Sequence, residues 1–310
     1  MFENARRRSR RPIQTDSMAD PGKYLFTPYE VGILRAEIQG VQMLKVFLFL
    51  VCALMINDSA LADKNCFLAA EKDKIIDQQG DCRTRHACCS TFKIAISLMG
   101  YNEGILISET EPELPFKSGY YDLLDSWRQP HNPKLWMKNS CVWFSQVITK
   151  TMGLERFGKY VNDFEYGNRN ISGDVGKNNG LTNSWLSSSL QISPVEQVAF
   201  LQKLVDGKLP VSPKAMEITK NILYIEELPT SWKLFGKTGS GNLLKDDGTR
   251  DVELQIGWFV GWLYKDTRAI VFAQFIQDET RQDTLAGKRA REAAIKKLIE
   301  LTGSVDSEQK

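Results

Sequence analysis

Histidine is nearly absent: only His86 and His131 occur among 310 residues. A Ser-His-Asp triad therefore has almost no candidate for its base, and no Gly-x-Ser-x-Gly elbow occurs to present such a serine. None of the six cysteines forms a Cys-x-x-Cys pair and neither histidine has a partner at ligand spacing, which argues against a bound metal. His131, between Pro130 and Pro133, reads as a solvated loop histidine, and His86 as structural. Internal repeats and low-complexity tracts are missing, which removes solenoids and arrays. Charge of one sign is not in excess either, with 40 Lys plus Arg against 38 Asp plus Glu. The small surplus sits around Arg6, Arg7, Arg8, Arg10 and Arg11, and the 248 residues after Ala62 are formally neutral, so no nucleic-acid partner is expected.

Long hydrophobic runs are lacking as well. The longest, Val46 to Ile56, falls well short of the roughly 20 residues that span a bilayer. Preceded by Lys45 and followed by Ala60-Leu-Ala62, it reads as a secretory signal over 43–62, with an uncleaved anchor as the alternative. A signal works from the extreme N-terminus, so residues 1–42 read as an upstream extension outside the functional protein, and 63–310 as one domain with no stable membrane insertion. Export permits one or two disulfides among Cys66, Cys82, Cys88 and Cys89, with the pairing open.

What is present is an ordinary globular composition, 42% hydrophobic. Ser193-Pro-Val-Glu196 carries a cap, a first-turn proline and a capping-box glutamate ahead of Val198, Leu201, Leu204 and Val205, and predicts a helix ending at Gly207. Ser212-Pro213 opens another. Asn139-Ser140 precedes the apolar run Val142, Phe144, Val147, Ile148, placing Ser140 at or near a helix start. Two aromatic and β-branched stretches, 255–264 and 269–276, predict a strand hairpin, and 285–301 a closing helix laid on the sheet.

Ser90-Thr-Phe-Lys93 sets an amine one turn from a hydroxyl on one helix face. Apolar neighbours Phe92, Ile94, Ala95 and Ile96 disfavour the charged amine, so Lys93 can stand in for histidine as a base. A second Ser-x-x-Lys, Ser307 to Lys310, lies in a polar tail with no core around it. Lys237-Thr-Gly239, on a predicted strand before Ser240, offers an amine and a hydroxyl to a carboxylate, and its glycine lets a ligand lie against the backbone.

Together, Ser90-Thr-Phe-Lys93, Ser140-Cys-Val142, Tyr166-Gly-Asn168, Trp185 and Lys237-Thr-Gly239 resemble the motif set of the class D serine β-lactamases, the oxacillinases, in order and spacing from about Asp63 to Leu301. The resemblance implies an α/β (α+β) fold: a central antiparallel sheet with flanking helices, built from about 63–89 and 226–303, and a helical subdomain at about 90–225, with the active site in the cleft between. It implies a periplasmic enzyme that opens the amide of penicillin-type β-lactams, uses no cofactor or metal, and forms possible homodimers. Ser90 would be the nucleophile. Lys93, carboxylated by CO2 or bicarbonate to N6-carboxylysine, would be the base for acylation and deacylation. Ser140 would relay a proton to the leaving nitrogen, Trp185 would hold the carbamate, and Val142 would keep its pocket apolar. The N–H groups of Ser90 and Ser240 would hold the oxyanion. Lys237 and Thr238 would bind the substrate carboxylate, assisted by Arg291 or, two residues earlier, Arg289. Tyr166, Gly167 and Asn168 read as a turn closing the cleft wall. Cys88-Cys89 departs from the Pro-Ala or Pro-Asp approach expected before the nucleophile. A β-lactam sensor domain or a penicillin-binding peptidase, which acylates without efficient turnover, is the competing reading; the single short apolar run, the domain size, Tyr-Gly-Asn and Trp185 disfavour it.

Overall fold

The computed structural model describes residues 64–307. The extension 1–42, the apolar run and the Ala60–Ala62 cleavage site lie outside the described residues, as does the end of the Ser307–Lys310 tail. Strands β1 (Cys66–Glu71) and β2 (Lys74–Gly80) open the fold as a hairpin, and β3 (His86–Ala87) leads into a 3-10 turn at Cys89–Phe92. Helices α1 (Lys93–Asn102), α2 (Pro133–Asn139), α3 (Val142–Met152), α4 (Leu154–Asp163) and α5 (Gly180–Asn183) follow. The short β4 (Gln191–Ile192) pairs with β3, and α6 (Pro194–Val205) and α7 (Pro213–Ile222) complete the helical part. β5 (Tyr224–Glu227), β6 (Lys233–Leu244), β7 (Arg250–Lys265), β8 (Arg268–Gln277) and α8 (Ala286–Ser307) close the chain.

The main sheet runs β2-β1-β8-β7-β6-β5, every pair antiparallel. Period-two alternation sends Phe67, Ala69, Phe259, Leu263, Ile270 and Phe272 to one face, where Ala290, Ala294 and Leu298 of α8 cover them. Leu68, Trp258, Val260, Trp262, Val271, Ala273 and Phe275 face the opposite way, into the core shared with the other helices. Both faces are buried, which explains why β7 and β8 read as nearly continuous apolar runs.

The local signals work as their chemistry predicts. Ser193 accepts from the Glu196 amide while the Glu196 carboxylate accepts from the Ser193 amide, and Asn132 and Ser212 cap α2 and α7 ahead of prolines. The disulfide is Cys66–Cys82, tying the start of β1 to the chain leaving β2; Cys88, Cys89 and Cys141 are buried free thiols. Among the described residues, no helix is long and apolar enough to cross a membrane.

Candidate active site

The 3-10 turn that starts at Cys89 delivers Ser90 and Lys93 to one place. Lys93 Nζ lies 3.0 Å from Ser90 Oγ, and the lysine is completely buried. Burial pulls its pKa down to about 8, so its neutral amine becomes accessible near neutral pH. Cys89 enters the turn with φ 51°, a left-handed conformation that costs a side-chain-bearing residue about 1–2 kcal/mol. Packing against β6 holds it there. A Cβ at Gly239 would press on Thr91, the Cys88 carbonyl and Cys89, and one at Gly241 would collide with Cys89 Sγ and Ser187 Oγ. The glycines of this strand are thus what let the 3-10 turn and β6 meet.

Beyond its short pairing with β5, β6 presents an open edge. Gly236 N–H donates to the Leu223 carbonyl and Asn242 N–H to Ser187 Oγ, both away from β7. Strand parity sends the N–H groups of Thr238 and Ser240 to that same edge. Ser90 stands at the first turn of its helix, where backbone N–H groups have no intrahelical acceptor. Lys237 is buried, donates to the Thr238 carbonyl at 3.0 Å, and is held well below the usual lysine range by burial and by Lys93 beside it. Ser240 Oγ accepts from the Gly287 amide at 2.9 Å, bringing the start of α8 against this strand.

Ser140 follows α2 with φ 56°, also left-handed, and Cys141 and Val142 after it are buried at the start of α3. The Cys141 thiol is close enough to Lys93 for the two to interact electrostatically, which brings the Ser140 segment to the lysine. Trp185 is fully buried with its ring against Phe92 and Phe157, and its indole N–H has no acceptor among the described residues. A buried donor left in this way costs about 1–3 kcal/mol, so a fixed polar atom is expected to complete it.

Tyr166, Gly167 and Asn168 form a brace. Asn168 exchanges bonds with Gln191 (2.9 and 3.0 Å) and donates to the Ser189 carbonyl (2.8 Å), and the adjacent Leu190 carbonyl accepts from the Cys88 amide. Tyr166 stacks edge-on against Phe92, with its buried hydroxyl beside Cys88, Thr91 and Gln197. Gly167 has φ 53°, and a Cβ there would run into the Gln191 carbonyl oxygen. Gly167→Ala is therefore expected to destabilise the fold by about 2–5 kcal/mol, combining left-handed strain with overpacking. A thermal unfolding curve matching the parent would contradict the brace.

Residues 57–300 match the penicillin-binding protein transpeptidase domain family. The β-lactamase OXA-9 of Klebsiella pneumoniae is 41% identical over 228 residues, 73% of this chain and 83% of that protein. OXA-1 of Escherichia coli is 40% identical, covering 69% of this chain and 75% of its own. Among solved structures, the class D β-lactamase OXA-427 is 44% identical with a TM-score of 0.74, covering 77% of this chain and 99% of that one. The chain belongs to the class D β-lactamases.

Two expectations need correcting in this class D chain. Arg291 pairs with Glu226 at 2.8 Å, and Glu226 stands opposite Leu234, four residues and about 13 Å along β6 from Thr238. Arg289 makes a two-pronged bond with buried Asp278 (2.8 and 2.7 Å). Each guanidinium has its own carboxylate; the part of α8 that reaches Ser240 on β6 is its first turn, through Gly287. His131 is no solvated loop residue: its ring is fully buried. His86 is structural, stacked on Phe275 at 3.9 Å, with burial lowering its pKa to about 4. Cys88-Cys89, unexplained in sequence, are buried thiols. Burial pushes Cys89 and Cys141 up to about 11 and Cys88 higher than usual, so all three stay protonated near neutral pH and are poor nucleophiles.

Sequence reasoning also missed the residue that joins the Trp185 segment to the start of β7. Arg250 donates to the carbonyls of Ser187 and Leu186 at 3.0 Å each and pairs with Asp174 at 2.6 Å. These partners lie 63 to 76 positions apart in the chain, and no local signal links them.

Proposed function

We propose that this protein hydrolyses the β-lactam amide of penicillin-type antibiotics through an acyl-enzyme on Ser90, with Lys93 carboxylated on Nζ as the general base. The observation that carries the reading is the contact of half-buried Ser90 with fully buried Lys93, 3.0 Å apart, with the Trp185 indole N–H, unpartnered among the described residues, in the same core. Only a neutral amine combines with CO2, and the apolar burial that lowers the Lys93 pKa supplies one. When carboxylated, Lys93 offers an anionic oxygen that accepts the proton of the attacking hydroxyl and later of water. Trp185 supplies a donor for such an anion, and Val142 closes the apolar wall.

Ser90 Oγ attacks the lactam carbonyl, and the amides of Ser90 and Ser240 face the developing oxyanion. Ser140 passes a proton to the departing ring nitrogen. Lys237 and Thr238 take the substrate carboxylate. With negative charge on Lys93, Lys237 gains an attractive neighbour in place of a like-charged one, which favours its ammonium form for that contact. Tyr166, Gly167 and Asn168 support the cleft wall. Export to the periplasm fits the signal-like run at 43–62 and the Cys66–Cys82 disulfide.

Turnover of a chromogenic penicillin, with and without bicarbonate and with intact mass after mixing, tests the reading. Many turnovers stimulated by bicarbonate are expected. A stable one-to-one adduct on Ser90 without turnover contradicts it and points to a sensor or peptidase. The pH dependence has a fixed sign: below about 8 the neutral fraction of Lys93 falls tenfold per pH unit. Carboxylation to the anionic carbamate releases two protons from the ammonium form and one from the neutral amine, so the dissolved CO2 needed for half-maximal activity is expected to rise about a hundredfold from pH 7 to pH 6 and to change about tenfold per pH unit above pH 8. A requirement independent of pH contradicts the assignment.

A further inference from the structure

The left-handed turn at Ser140 has to aim a hydroxyl, and the residue before it is fixed at both ends. Trp127 Nε1 donates to the Asn139 carbonyl at 2.9 Å, and Asn139 Nδ2 lies 3.2 Å from Nε2 of His131. The other ring nitrogen decides the direction of that second bond. His131 Nδ1 sits 2.9 Å from the Gln129 carbonyl, which only accepts, so Nδ1 carries the proton and Nε2 offers its lone pair to the Asn139 amide. The ring is buried edge-on against Trp143 at 5.5 Å, and the Trp143 indole N–H donates to the Trp127 carbonyl at 2.9 Å, closing a circuit Trp127, Asn139, His131, Trp143. His131 is itself anchored by paired backbone bonds to Leu114, 2.8 and 3.0 Å long. None of these residues is placed to touch substrate by the mechanism above, and a buried polar histidine with both nitrogens bonded is there to hold something.

We propose that His131 is a positioning residue for Ser140, acting through the Asn139 side chain to fix the turn from which Ser140 hands a proton to the leaving nitrogen. The inference rests on the proton-relay reading of Ser140. His131→Asn retains a donor near Nδ1 and removes the acceptor at Nε2, whereas His131→Gln places an amide oxygen near the lost Nε2. Misplacing a reacting group by a fraction of an ångström to 1 Å slows a step about 10- to 100-fold. His131→Asn is expected to lower the acylation rate by about tenfold or more, with His131→Gln recovering most of the loss. Deacylation and the bicarbonate requirement are expected to stay unchanged, because Lys93 and Trp185 lie outside the circuit. A merely structural role would instead lower the titre of active sites and slow both steps together.

The test measures acylation and deacylation of a penicillin separately by rapid quench and intact mass, for His131→Asn, His131→Gln and Asn139→Ala, each in the parent and in a Ser140→Ala background. Asn139 is only half-buried, so its variant reports even where His131→Asn fails to fold. Slow acylation that disappears as an additional loss in the Ser140→Ala background supports the inference. Parent-like acylation in folded His131→Asn or in Asn139→Ala, or the same added loss without Ser140, overturns it. Parent-like acylation by Ser140→Ala alone overturns the proton-relay reading instead, so the two failures are told apart.

Discussion

Lys93→Ala is expected to abolish turnover while leaving a folded protein that still binds penicillin. Positioned base catalysis contributes about 10²–10⁴-fold to a step, and Lys93 serves both acylation and deacylation, so kcat should fall by at least about 10³-fold. Added bicarbonate should not restore it, since no amine remains to carboxylate. Stability should move the other way. A lysine buried completely enough to lower its pKa to about 8 opposes folding in its charged form, so removing it is expected to leave the melting temperature unchanged or raised. Near-parent kcat in this variant contradicts the assigned base. Loss of activity together with a large fall in melting temperature would show that Lys93 acts as a structural residue.

Trp185→Phe carries the second large effect. Phenylalanine keeps an aromatic ring against Phe92 and Phe157, gives up part of the indole's volume, and removes the N–H, the one polar atom of the side chain. A hydrogen bond to a charged acceptor is worth about 1.5–3 kcal/mol. The dissolved CO2 needed for half-maximal activity is therefore expected to rise by about 10- to 150-fold, and progress curves at ambient CO2 should slow as the base is lost. Saturating bicarbonate should return most of the activity, which a packing defect would not allow. An unchanged CO2 requirement contradicts the role given to Trp185.

How far sequence reached depended on whether a feature was local. The capping box at Ser193, the hairpin of β7 and β8 and the closing helix α8 are set by neighbours a few positions apart, and their patterns were readable. Ser90 and Lys93 share one helical turn, so their contact followed from spacing alone. The His131 circuit did not follow, because a histidine between prolines looks solvated until Trp143, twelve residues on, is folded over it. Arg291 failed for a related reason. Its helical position suggested nearness to the sheet, but which strand it meets depends on how α8 lies across β5 and β6, and that angle leaves no mark on the sequence. The Cys66–Cys82 pairing was likewise fixed only once β1 and β2 brought the two thiols together.

Equilibrating the protein with ¹³C-bicarbonate and recording its carbon NMR spectrum tests the central claim most directly, with Lys93→Ala as the control. One carbamate resonance, absent from the control and rising and falling in step with penicillin turnover as CO2 is varied, is the result the account predicts. Full turnover with no carbamate signal, or the same signal in Lys93→Ala, would contradict it.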